Sequence, residues 1–72
     1  MTPDRQNLCR AVRAMLPIVR AERQQLLESY CVLDKRGKPK LATLDDPLAI
    51  TLIRDYDRVI RLAVGALAQV TP

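Results

Sequence analysis

From Asp46 to Val70 the apolar residues recur with a heptad-like period. Taking Ala49 as position a puts Ala49, Tyr56, Ala63 and Val70 at a, Leu52, Val59 and Ala66 at d, and Ile53, Ile60 and Leu67 at the adjacent e. Three apolar positions per heptad is the face width of a helix inside a bundle. A second seam runs Leu8, Val12, Met15, Val19, Leu26, Tyr30, Leu33 in alternating steps of four and three. These two patterns predict two long helices, over residues 3–30 and 47–70, joined by a turn over 31–45.

Local chemistry marks the helix starts. Thr2-Pro3-Asp4 combines a capping hydroxyl, a proline at the first helical position and an acid near the positive helix end. In Asp46-Pro47 the proline drives Asp46 into the extended conformation that a cap requires. Pro17 falls inside the first pattern, where it removes a hydrogen bond and crowds the preceding turn at about 3 kcal/mol. Either one helix bends there or two helices meet. The seam keeps its phase across Pro17, as does an Arg10, Arg13, Arg20 stripe on the same face, which favours a single kinked helix with Pro17 toward solvent. Glu22 interrupts the seam. Exposure at the rim of the bend is the favoured reading. The competing one pairs it with Arg54 or Arg58 across the helices, fixing register.

Between the helices, Cys31-Val32-Leu33 and Leu41-Ala42-Thr43 flank Asp34-Lys35-Arg36-Gly37-Lys38-Pro39-Lys40. Asp34 opens a turn and Gly37 accepts a left-handed conformation. A small β-hairpin and an irregular loop both fit, and Pro39 limits pairing of one arm. On the second helix Asp57 and Arg61 form an i,i+4 pair in the favourable order. From Leu62 onward the helix is apolar nearly all round, so its last turns are expected to be covered on more than one side.

Size then changes the picture. Seventy-two residues make one domain, 1–72, near the lower limit for a self-sufficient core. With no Phe or Trp and only two Tyr, that core must be aliphatic. A lone hairpin has no closed interior. The expected fold is therefore all-α, or α with a minimal β-hairpin: an antiparallel two-helix hairpin, its first helix kinked, dimerising into a four-helix bundle. The expected interface is Leu52, Ile53, Tyr56, Val59, Ile60, Ala63, Ala66, Leu67 and Val70. Within that scheme an Asp at Leu52 or Ile60 buries an unpaired charge and unfolds the protein.

Cys9 and Cys31 stand roughly 33 Å apart along one helix, too far for a disulfide, and two free thiols suit a reducing cytoplasm. The polar start, Met1-Thr2-Pro3-Asp4-Arg5, predicts no secretion signal, and the longest charge-free stretch near the end is half a membrane span. No catalytic residues are expected. Histidine is absent, which removes Cys-His and Ser-His pairs. Asp45-Asp46 reads as a helix start and Asp55 and Asp57 as part of a charged helix face; no metal-ligand spacing or phosphate loop is present, and no cofactor is predicted.

The formal charge of +4 is concentrated in the turn, where Lys35, Arg36, Lys38 and Lys40 lie within six residues free of acid. These four are the candidate nucleic-acid contacts, through phosphate rather than base stacking, since no aromatic interleaves them. The alternative is a solvated turn kept soluble by its charge.

From about Gln25 the order of parts resembles a piece of phage small terminase subunits. It runs from a helix to the basic turn Asp34-Lys35-Arg36-Gly37-Lys38-Pro39-Lys40, then Asp46-Pro47, and closes on Leu67-Ala68-Gln69-Val70-Thr71-Pro72. The closing Gly of that family is missing. At the level of fold the chain is similar to plasmid-copy-control helical hairpins, which dimerise into four-helix bundles and bind RNA. Both resemblances imply oligomer formation and nucleic-acid contact. The functional expectation is a non-enzymatic oligomerisation and protein-interaction module, with any protein partner at the apolar C-terminal turns and no membrane. The alternative is a nucleic-acid-binding accessory or regulatory protein using the basic turn.

Overall fold

Thr2 opens the first helix as its chemistry predicts. Its backbone is extended, and its hydroxyl accepts the Arg5 N–H at 3.2 Å. The computed structural model describes residues 2–70, so Met1 and the closing Thr71-Pro72 of the terminase resemblance lie outside the described residues. Helix α1 runs Pro3–Tyr30 and helix α2 runs Pro47–Val70. They pack against each other as an antiparallel hairpin, Cys9 beside Leu67 near one end and Leu26 beside Ala49 near the other. Between them Leu41–Thr43 forms a single 3₁₀ turn.

Helix α1 passes through Pro17 without a break. Proline cannot donate to the Arg13 carbonyl, so the helix lacks that i→i−4 hydrogen bond, and Pro17 is itself exposed while Leu16 beside it is buried. The residue that would weaken packing most lies outside the packing. The helix ends where Cys31 turns extended, its N–H still donating to the Leu27 carbonyl at 2.9 Å. At the start of α2 the Asp46 carboxylate accepts the Ala49 N–H at 3.0 Å, the side-chain cap predicted for Asp-Pro.

The buried core is Cys9, Leu16 and Leu27 from α1 with Ala49 and Ile53 from α2, and no side chain among them is completely enclosed. The α2 seam divides at this contact. Its a and e residues face α1: Ala49 and Ile53 are buried, and Tyr56, Ile60, Ala63, Leu67 and Val70 are half-buried. Its d residues, Leu52, Val59 and Ala66, stay exposed. One helix can cover only part of a face three positions wide. The C-terminal turns show the same limit, since Leu62 and Val64 remain exposed and the single chain covers that end on one side only.

The molecule is long and thin, 47 × 25 × 17 Å, with a Cα radius of gyration of 15.3 Å. A compact chain of this length has a radius of about 11 Å. Its accessible surface is 5779 Å² for 8.1 kDa, where a typical folded monomer of that mass exposes about 4,500 Å². The hairpin thus exposes about 1,300 Å² more than a self-contained domain would.

Candidate functional site

Six of the exposed large apolar side chains, Leu8, Met15, Tyr30, Leu48, Leu52 and Val59, line hollows between the two helices. On one broad side of the hairpin the helices leave a groove that runs along most of their length. At mid-length it is lined by Val12, Met15, Leu16 and Val19 of α1 and by Val59 and Ala63 of α2, with no polar atom among its walls. Toward the open end it continues between Leu8 and Ala66, and toward the turn between Leu26, Tyr30, Leu48 and Leu52. Helical phase explains the alignment. Met15 and Leu26 stand one position beside the buried Leu16 and Leu27 of α1, as Leu52 stands beside Ile53 of α2, and the antiparallel arrangement turns both flanks to the same side. Val59 is 46% exposed and Leu52 38% exposed, against 7% for Ile53. Of the residues expected at an oligomer interface, Leu52, Val59 and Ala66 form the open ridge. The other six, Ile53, Tyr56, Ile60, Ala63, Leu67 and Val70, contribute mainly to the contact between the chain's own helices.

The basic turn is an ordered structure. The Asp34 Oδ1 accepts the backbone N–H of Arg36 at 2.8 Å and of Lys38 at 2.9 Å, which folds the loop around one carboxylate. Gly37 has a φ of +79°, the left-handed conformation the turn demands. Asp34 N–H donates to Lys38 O, and Lys40 N–H to Val32 O, both at 2.8 Å. They frame one antiparallel bridge between Leu33 and Pro39. Pro39 occupies the position of this bridge that needs no N–H, so its ring is tolerated. The ladder goes no further, because the 3₁₀ turn begins at Leu41. Thr43 locks the base of the turn: its hydroxyl donates to Lys40 O at 2.6 Å and accepts the Val32 N–H at 2.8 Å. Nothing in the local pattern singled out Thr43. Lys35, Arg36, Lys38 and Lys40 are all exposed around this frame, and none has an acidic partner among the described residues.

Charge pairing between the helices differs from the local expectation. Asp57 does not pair with Arg61 one turn on; it accepts from Arg23 Nε of α1 at 2.6 Å. A bond between helices at matching height displaces the i,i+4 contact, whose worth is only about 0.2–0.5 kcal/mol. Glu22 is exposed, as the rim reading expected, and pairs with neither Arg54 nor Arg58. Cys9 is buried and Cys31 half-buried, both as free thiols. Among the described residues no cluster of acidic or cysteine side chains could hold a metal ion, and no helix is long and apolar enough to cross a membrane. In the comparisons with known proteins, no family model, no curated protein and no solved structure matches the chain.

Proposed function

We propose that this protein is a non-enzymatic self-association module, acting in a reducing cytoplasm, whose apolar face docks on the same face of a second copy to build a four-helix bundle. The observation that carries this reading is the open ridge of Leu52, Val59 and Ala66 along an apolar groove on a hairpin with an incompletely enclosed core.

Area argues for a second copy as the occupant. A standard protein–protein interface removes about 800 Å² from each partner, within the roughly 1,300 Å² by which this hairpin exceeds a self-contained domain. Symmetry argues the same way. Val59 and Met15 lie near the midpoints of α2 and α1, so a two-fold axis through the centre of the face brings like against like. The walls at that centre are purely apolar and put no charges in opposition. The lack of histidine, which removes Cys-His and Ser-His pairs, also supports the non-enzymatic reading.

The test is to mix isotope-labelled and unlabelled chains and collect filtered nuclear Overhauser spectra. Contacts between chains are expected among the methyl groups of Met15, Leu52 and Val59. Their absence at NMR concentrations, or contacts arising instead from the opposite side of the hairpin, would contradict the proposal.

A further inference from the structure

The side of the hairpin opposite the apolar groove has a different chemistry. Arg10, Arg13 and Arg20 of α1 and Arg54 and Arg61 of α2 all lie, by helical phase, on the flanks turned away from Met15 and Val59. The antiparallel packing brings those two flanks to one face, and Arg58 stands at its outer edge. All six arginines are exposed, and none makes an ion pair among the described residues. Acids lie among them but are fewer. Asp57, which shares a shallow hollow of α2 with Arg54, Arg58 and Arg61, is paired with Arg23. Glu28, hydrogen-bonded only to the neutral Gln24 amide, and Asp55, in the same hollow as Asp57, keep their charges, which leaves six arginines against two carboxylates.

We infer that this arginine face binds the phosphodiester backbone of a nucleic acid, without reading its bases. Three observations select that partner. The first is residue type: every cation in the cluster is arginine, whereas three of the four in the turn are lysine. The guanidinium is planar and weakly hydrated, and its fork matches phosphate oxygens two at a time. The second is layout. Arg10 to Arg20 spans about 15 Å and Arg54 to Arg61 about 10 Å, in two rows on helices about 8–10 Å apart. A duplex strand advances about 3.4 Å per phosphate along its axis, so such a face meets about four phosphates. The third is what the face lacks. Neither tyrosine lies on it, since Tyr30 lines the apolar groove and Tyr56 is half-buried toward α1, so base stacking has no platform. Of the exposed large apolar side chains that would anchor a membrane surface or an amphipathic peptide, Leu8, Met15, Leu48, Leu52 and Val59 line the opposite side, and helical phase puts only Val64 beside the arginines. The inference is independent of self-association, because one hairpin already presents the whole face. In a bundle joined through the apolar groove, two such faces point outward on opposite sides.

The experiment measures anisotropy of a fluorescent DNA duplex of about 20 base pairs and arbitrary sequence, titrated with the full chain. With about four phosphates neutralised, log Kd changes by about 3.6 per decade of salt, so affinity falls roughly 150-fold between about 50 and 200 mM salt. The combined variant Arg13→Gln, Arg20→Gln, Arg54→Gln, Arg61→Gln is expected to lose at least about 100-fold at the lower salt. The variant Lys35→Gln, Arg36→Gln, Lys38→Gln, Lys40→Gln should stay within about threefold of the parent. A readout on the unmodified protein stands whether or not the variants fold: arginine side-chain Nε–H resonances of Arg13, Arg20, Arg54 and Arg61 should shift on duplex addition. No binding at about 50 mM salt would overturn the inference. So would loss confined to the turn variant, unmoved arginine resonances, or binding to vesicles of phosphatidylserine and phosphatidylcholine but not to duplex.

Discussion

Replacing Val59 by Asp puts a carboxylate at the centre of the apolar face. In the single hairpin this position is 46% exposed and lies beside the groove rather than in the core. Completing the burial of a valine already half covered is worth about 1 kcal/mol per copy, or about 2 kcal/mol across a symmetric pair. The larger effect is electrostatic. Near a two-fold axis the two carboxylates face one another in apolar surroundings, and losing water costs each several kcal/mol unless it takes up a proton. A conservative total of about 5 kcal/mol per pair shifts Kd by about 3.5 decades. A dimer with Kd near 1 µM would then need millimolar protein to form. Light scattering coupled to size exclusion at about 50 µM should return the monomer mass for Val59→Asp, and Leu52→Asp should behave alike. Lowering the pH should partly restore association as the new carboxyl is neutralised. If Val59→Asp keeps the parent's mass at neutral pH, the face is not the interface.

Other substitutions probe the hairpin itself. Pro17→Ala restores a helix hydrogen bond at an exposed site, so thermal stability should rise by about 1–3 kcal/mol, and a lower melting temperature would contradict the reading of Pro17 as an outward-facing break in the ladder. Asp34→Ala removes the acceptor for two backbone N–H groups and should cost about 1–2 kcal/mol, with faster hydrogen exchange at Arg36 and Lys38; unchanged exchange would show that the carboxylate does not hold the turn. Gly37→Ala meets no atom within 4 Å, so only the left-handed backbone resists it, at about 1 kcal/mol by denaturant titration. Thiol titration under native conditions should modify Cys31 well before Cys9, because Cys9 is buried and Cys31 only half so; equal rates would mean that the α1–α2 contact opens readily.

Features set by neighbouring residues were legible in the chain. Thr2-Pro3 and Asp46-Pro47 mark helix starts because capping depends on atoms a few bonds apart. The unbroken phase across Pro17 foretold one continuous helix, since a surface proline weakens a helix without erasing its seam. Longer-range features were not legible. A face three positions wide does not reveal which positions meet the chain's own partner helix. That depends on how α2 is rotated against α1, and here it separates Ile53 from the adjacent Leu52. The same distinction revises the effect expected of an acid in the seam. At Ile60, which faces α1, it still destabilises the fold, whereas at Leu52 it acts first on association. Asp57 posed the same difficulty: its neighbour Arg61 was visible in sequence, but its match in height with Arg23 follows from the length of the turn. The arginine face was split between two helices, and only their packing joins Arg13 and Arg20 to Arg54 and Arg61.

The central claim is that the hairpin is half of a structure completed by its own copy. Sedimentation equilibrium of the unmodified chain across the micromolar range tests it most directly. The account predicts a mass approaching twice the 8.1 kDa of one chain, with a melting temperature that rises with protein concentration. A mass of 8.1 kDa throughout that range, with full helicity and a melting temperature independent of concentration, would contradict it.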